Sequence, residues 1–222
     1  MKKGLLYLLF ISVVFACNKT EKTEDANLTP LQKLEAGNKR FASGKPMHPD
    51  ETLERIRELK KGQHPFAIVV SCSDSRVPAE LVFDQGLGDI FSIRTAGNVM
   101  GDYELGSIEY AVEHLDCKLV IVMGHKDCGA MKAFIKSNGH YEQTDHIKKI
   151  IEYIESEKEE KNLAIHNDLV LDKVIDVNIE HGVAFLKTAE PILKEFYDNK
   201  KVAIVGAVYD IETGKVIFNT DK

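Results

Sequence analysis

Two segments of this chain carry side chains able to hold a metal ion. Cys72-Ser73-Asp74-Ser75-Arg76 offers one thiol, and His125-Lys126-Asp127-Cys128, about fifty residues on, offers an imidazole and a second thiol. Two thiolates and one imidazole suit zinc, which prefers sulfur and nitrogen ligands. Three protein ligands leave a tetrahedral ion one position short, as in catalytic rather than structural zinc. Zinc lowers the pKa of a water in that position from about 16 to near 7, so the predicted chemistry is hydroxide attack under mild conditions, that of a zinc hydro-lyase. Asp74 and Arg76 sit where a metal site needs side chains that orient the bound oxygen. A Cys72–Cys128 disulfide is the alternative for the two thiols, but it has no use for His125 three residues before Cys128.

The elements that must position these residues are legible in outline. Phe66–Val70, Ile90–Ile93, Leu119–Met123 and Val202–Val208 are short, non-alternating apolar runs rich in Val and Ile, which predicts strands of a parallel sheet covered on both faces. Between them, Glu104–Leu115 places Leu105, Ile108, Val112 and Leu115 on one helical face; His146–Glu157 and Asp176–Lys187 are also amphipathic, and Pro191 opens another helix. Leu28–Ser43 reads as a helix with Thr29 as N-cap and Pro30 at its first position; its apolar Leu31, Leu34 and Phe41 need a surface to cover. Tyr209–Lys215 reads as a turn and Val216–Asn219 as an antiparallel edge strand. The expected fold class is α/β, a mostly parallel central sheet flanked by helices. Cys72, Asp74 and Arg76 then follow the first strand, and His125 and Cys128 the third, at the carboxyl ends where open α/β sheets bind ligands.

Composition bounds the rest. The chain has 222 residues, 44% of them hydrophobic, enough for one globular domain over residues 28–222. A formal charge of −6 and no basic stretch argue against a nucleic-acid partner, and no glycine-rich fingerprint for nucleotides follows the first strand. The mixed charges of Glu152–Lys161 read as a solvated helix face. Residues 1–16 read as a signal peptide: Lys2 and Lys3, then apolar Leu5 to Phe15, too short to span a membrane comfortably, then small Ala16. Ending on Val14-Phe15-Ala16-Cys17, this segment resembles a bacterial lipoprotein signal, which implies a lipidated Cys17, a polar tether over residues 17–27, and export to the cell envelope, periplasm or outer membrane. Phe15 is bulky for that pattern, so an ordinary secretory signal is the alternative. Losing residues 1–16 removes two Lys and no acid, taking the formal charge from −6 to −8. Cys117, beside the apolar run Leu119–Met123, reads as an inert, partly buried thiol.

The pairing of Cys72-x-Asp74-x-Arg76 with His125-x-x-Cys128-Gly129 closely resembles the β-class carbonic anhydrases. Gly62-Gln63-His64-Pro65, Ser75-Arg76-Val77-Pro78, Phe83-Asp84-Gln85-Gly86, Arg94-Thr95-Ala96-Gly97-Asn98 and Ile108-Glu109-Tyr110-Ala111 extend the likeness over about residues 28 to 219. The resemblance implies reversible hydration of carbon dioxide to bicarbonate and a proton, with one zinc per subunit held by Cys72, His125 and Cys128. Asp74 and Arg76 become a catalytic dyad, in which Arg76 keeps Asp74 ionised and away from the metal. Gln63 matches the plant-type glutamine that reaches the partner's active site to bind substrate. Phe91 and Tyr110 match apolar pocket walls, Ala96 stands where a larger residue is common, and the Gly129 amide matches a donor to substrate. A homodimer, or a dimer of dimers, is implied, with the N-terminal helices embracing the partner. An inhibitory bicarbonate site of some members uses a Trp three residues before the first zinc Cys; this chain has Val69 there and no Trp, so that inhibition is not expected.

The residues leave other readings open. Asp74–Arg76 could be a structural ion pair, and Tyr110 and Phe91 ordinary core. His64 is the lead for a proton shuttle, while His48, His114, His140, His146, His166 and His181 lack ligand-like spacing to any Cys. A zinc-stabilised, non-catalytic envelope module is one rival; an enzyme acting on carbonyl sulfide or carbon disulfide is another. One consequence follows from ligand charge. Two thiolates cancel the dication, so water bound here should be less acidic than in an all-histidine site. Turnover should rise with pH through an apparent pKa above about 7; a stopped-flow rate flat from mildly acidic to alkaline pH would contradict this.

Overall fold

The computed structural model describes residues 27–137, 141–142, 144–161 and 170–219. Residues 1–16, Cys17, His140 and His166 lie outside the described residues. In chain order the elements are α1 (Pro30–Ala42), α2 (Leu53–Leu59), β1 (Ala67–Cys72), α3 (Ala79–Val82), β2 (Ile90–Thr95), α4 (Asp102–His114), β3 (Leu119–His125), α5 (Gly129–Ser137), α6 (Ile147–Lys161), α7 (Val170–Thr188), α8 (Ile192–Asp198), β4 (Ala203–Tyr209) and β5 (Val216–Asn219).

The five strands form one sheet in the order β2-β1-β3-β4-β5, the first four parallel and β5 antiparallel to β4. Every residue of β1 and β3 is buried, because helices cover both faces. Alternate side chains serve alternate cores. Ile68, Val70 and Cys72 join Val120 and Val122 against Ile108 and Val112 of α4, Met131 and Phe134 of α5, Ile151 and Ile154 of α6 and Ile179 of α7. Ala67 and Val69 join Ile121 and Met123 against Leu34 of α1 and Val82 of α3.

The chain leaves β1 for β2 on one side and returns to β3 on the other. The sheet's switch point therefore lies between β1 and β3, where open α/β sheets hold their ligands. Both strands run further than the apolar patterns predicted. Cys72 closes β1 and His125 closes β3, so these two residues end strands rather than follow them. Ser71 and Gly124 interrupt the two apolar runs just before the ligands, which is why hydrophobicity stops short of them.

Thr29 caps α1 as expected: its hydroxyl accepts from Gln32 N and Gln32 Oε1 accepts from Thr29 N at 2.9 Å, a reciprocal capping box. The surface α1 covers belongs to its own chain. Leu34 is fully buried and Leu31 and Phe41 pack on the second core. Buried Asn38 fixes the helix there, donating to Val82 O at 3.1 Å and Gly214 O at 2.9 Å and accepting from Val216 N at 2.8 Å. α2, α3 and α5 were not anticipated: α2 buries none of its residues and α3 has four, so neither writes an apolar stripe. α4 starts at Asp102 rather than Glu104, because Glu104 Oε2 accepts from Gly101 N at 2.8 Å and closes the first turn. Pro191 sits at the N-cap of α8, one position before the helical start predicted for it.

Candidate metal centre

The ends of β1 and β3 bring Cys72, His125 and Cys128 together, their ligand atoms all within 4.8 Å of one another and all three residues buried. His125 Nδ1 lies 2.8 Å from Lys126 O, so Nδ1 carries the proton and Nε2 presents its lone pair to the two sulfurs. Nε2 is buried without a hydrogen-bond partner. An orphaned acceptor costs about 1–3 kcal/mol, and a cation between Nε2 and two thiolates removes that cost. The donor set fits zinc.

The sulfurs are prepared for ionisation. Cys72 Sγ accepts from Asp74 N at 3.4 Å and Gly97 N at 3.3 Å. The Cys128 thiol first, then these two amides, pull the Cys72 thiol well down against the opposing effect of burial. Cys128 is pushed up, first by its bond to Cys72 and then by burial. Both are free thiols. Cys117 differs: burial, then Asp116, push it up to about 12, and Sγ donates to Pro65 O at 2.8 Å, the inert role expected of it.

Gly97 aims its amide at Cys72 with φ +70°, and a Cβ there would stand 2.9 Å from Ala130 Cβ, so only glycine fits without strain. Asn98 (φ 49°) and Asn178 on α7 secure this turn, through Asn98 Nδ2 to Asn178 Oδ1 at 2.9 Å and Asn178 Nδ2 to Gly97 O at 3.2 Å. Arg94 buttresses the first ligand loop, donating to Cys72 O at 3.2 Å and Asp74 O at 2.7 Å. Nothing in residue type or spacing assigns these roles to Gly97, Asn98, Asn178 or Arg94. Asn178 carries no local signal, for only the docking of α7 on β3 brings it near.

Asp74 and Arg76 meet fork to fork: Nε donates to Oδ1 at 3.0 Å and Nη2 to Oδ2 at 2.8 Å, while Arg76 N donates to Oδ1 at 2.9 Å. Arg76 holds the Asp74 carboxyl far below the usual carboxylate range, and Asp74, then Asp127, push the exposed Arg76 guanidinium up. Among the described residues no fourth His, Cys, Asp or Glu ligand atom joins the three.

The remaining predicted residues divide. Gly129 is exposed at the first turn of α5, and a Cβ on it would meet nothing within 4 Å, so there is room beside its amide. Phe91 is half-buried against the first core, and Ala96 is half-buried in the turn after β2. Gln63 and Tyr110 are brought to each other, with His64 and His114, in a depression of about 610 Å³ whose lining includes none of the three ligands. Tyr110 is half-exposed, its ring 5.2 Å from that of His114, and is therefore not core. Val69, where the inhibitory site has Trp, is wholly buried in the second core.

The carbonic anhydrase family model matches residues 67–216, which span both ligand segments. The chain belongs to the carbonic anhydrase family. It is 37% identical over 187 residues to the carbonic anhydrase of Mycolicibacterium smegmatis, covering 82% of this chain and 88% of that protein. It is 36% identical over 186 residues to carbonic anhydrase 2 of Mycobacterium tuberculosis, covering 83% and 88%. Among solved structures, the β-carbonic anhydrase CcaA superposes with a TM-score of 0.68 at 27% identity, over 86% of this chain and 95% of that one. With the sheet and ligand set described, these likenesses place the chain in the β class.

Proposed function

We propose that this protein is a carbonic anhydrase that reversibly hydrates carbon dioxide to bicarbonate and a proton. The observation that carries the reading is a set of three ligands with the Asp74 carboxylate held back: Asp74 gives both oxygens to Arg76. Zinc held by Cys72, His125 and Cys128 supplies a Lewis acid that makes water nucleophilic near neutral pH. The chain's own side chains do the rest. Asp74, kept ionised by Arg76, has lone pairs left over from the fork; they accept a hydrogen bond from the O–H of the attacking oxygen and so turn a lone pair of that oxygen toward the carbon. Tyr110 lies in the depression that contains no metal ligand, and Phe91 pairs with Ile68, four residues before Cys72, so as apolar walls these two suit a partner's site rather than their own; the Gly129 N–H can donate to a substrate oxygen as charge develops on it. The Asp74–Arg76 fork also supports assignment to the plant-type, open-site subgroup. The test is stopped-flow hydration of carbon dioxide by zinc-loaded protein beside its Asp74→Asn variant, and no hydration above buffer would end the proposal.

We propose further that the active unit is a homodimer or a dimer of dimers. Gln63 supports this: it is exposed in a depression that contains no metal ligand, a position that suits a side chain serving a partner's site. Sedimentation should give at least twice the monomer mass; a monomer with full turnover would refute the assignment. Residues 1–16 and Cys17 support export and an N-terminal lipid anchor in the cell envelope, on sequence grounds alone. Among the described residues no helix is long and apolar enough to cross a membrane. Mass spectrometry of the mature N-terminus tests this, and an unmodified Met1 would refute it.

A further inference from the structure

Asp127 has no place among the ligands, although it stands between two of them. Its backbone is left-handed, at φ 64°, which turns its side chain back over the ligand loops. The two carboxylate oxygens are divided. Oδ2 accepts from Arg76 Nη1 at 3.3 Å, across 51 residues of sequence, and Oδ1 pairs with Lys132 in the first turns of α5. Arg76 therefore spends one edge of its guanidinium on Asp74 and an end nitrogen on Asp127, tying the loop that bears Cys72 to the loop that bears His125 and Cys128.

This tie contributes little to stability, since the Arg76, Asp127 and Lys132 side chains are 49%, 45% and 51% exposed and such pairs are individually weak. What it fixes is direction. Arg76 has enough donors to serve Asp74 in several rotations, and only Nη1 anchored on Asp127 selects the one seen. We propose that Asp127, steadied by Lys132, is a positioning residue that keeps the Arg76 fork on Asp74 and so keeps the Asp74 carboxylate out of the ligand set. The consequence for activity rests on the hydration reading above; the geometry does not.

Asp127→Asn is the informative change, because Asn tolerates the left-handed backbone and preserves shape while removing charge. Zinc content of the variant should stay at one per chain, while kcat/KM for hydration falls about three- to ten-fold, as expected when a small network of exposed charges is broken. Exchange of the Arg76 Nε–H proton with solvent, read by NMR on zinc-loaded protein, should quicken by a similar factor. In an Asp74→Asn background the same change should alter the remaining rate by less than about 1.5-fold, because the two act as one unit. Unchanged Nε–H exchange, or an equal loss of rate in both backgrounds, would overturn the proposal. Should the wild-type protein fail to hydrate carbon dioxide, the functional reading falls alone, and the NMR comparison still decides whether Asp127 holds Arg76.

Discussion

Cys72→Ser should leave the purified protein with less than about a tenth of an equivalent of zinc and reduce hydration by at least about 10⁴-fold, toward the uncatalysed rate. The hydroxyl of serine does not ionise near neutral pH, so the amides of Asp74 and Gly97 that favour a thiolate have no anion to hold. Buried His125 Nε2 and Cys128 then face a neutral oxygen. Elemental analysis and stopped-flow rates measure both losses. A third reading separates loss of metal from loss of fold. Metal bound only by the native state stabilises it by about 4 kcal/mol at 1,000 times Kd, so a chelator should lower the wild-type Tm by roughly 10 °C for a chain of this size. The serine variant should already melt near the chelated wild type and ignore the chelator. A variant with full zinc and full turnover would remove Cys72 from the site.

Asp74→Asn should keep its zinc and still lose about 10²-fold or more in turnover, the range for removal of one preorganised hydrogen-bond partner of the reacting oxygen. Asparagine offers one oxygen where the carboxylate offered two, and its amide nitrogen is a donor pointed at the donors of Arg76. The two-pronged fork cannot form: the Nη2 bond is lost, and the guanidinium keeps one oxygen of residue 74 beside its bond to Asp127. This variant distinguishes an enzyme from a zinc-stabilised binding module, in which the substitution should cost nothing measurable. Zinc content equal to wild type with unchanged hydration would show that Asp74 does not orient the reacting oxygen.

Much of the site was legible because metal chemistry narrows the residue types so severely. Few side chains ligate zinc, so Cys72, His125 and Cys128 stood out by type and spacing, and Asp74 and Arg76 stood out beside them. The supports were hidden for the same reason. Gly97, Asn98, Asn178 and Arg94 act through backbone amides, carbonyls and a left-handed turn, which ordinary residues supply without a signature. Asp127 was in plain view within the ligand segment, yet its meeting with Arg76 depends on two loops crossing.

The two candidate ligand segments, the Asp74–Arg76 pair, the strands of a two-sided parallel sheet and the capped first helix could be read from residue types and spacing, because each is written within a few neighbouring residues. Packing of the whole chain sets β1 beside β3 at the switch point and brings segments some fifty residues apart together, with their ligand atoms within 4.8 Å of one another. It also decided that α1 lies on its own chain and that one guanidinium spans both ligand loops. Strand order and loop crossing depend on how whole helices pack over a sheet, and burial of apolar surface is non-directional until those packings compete.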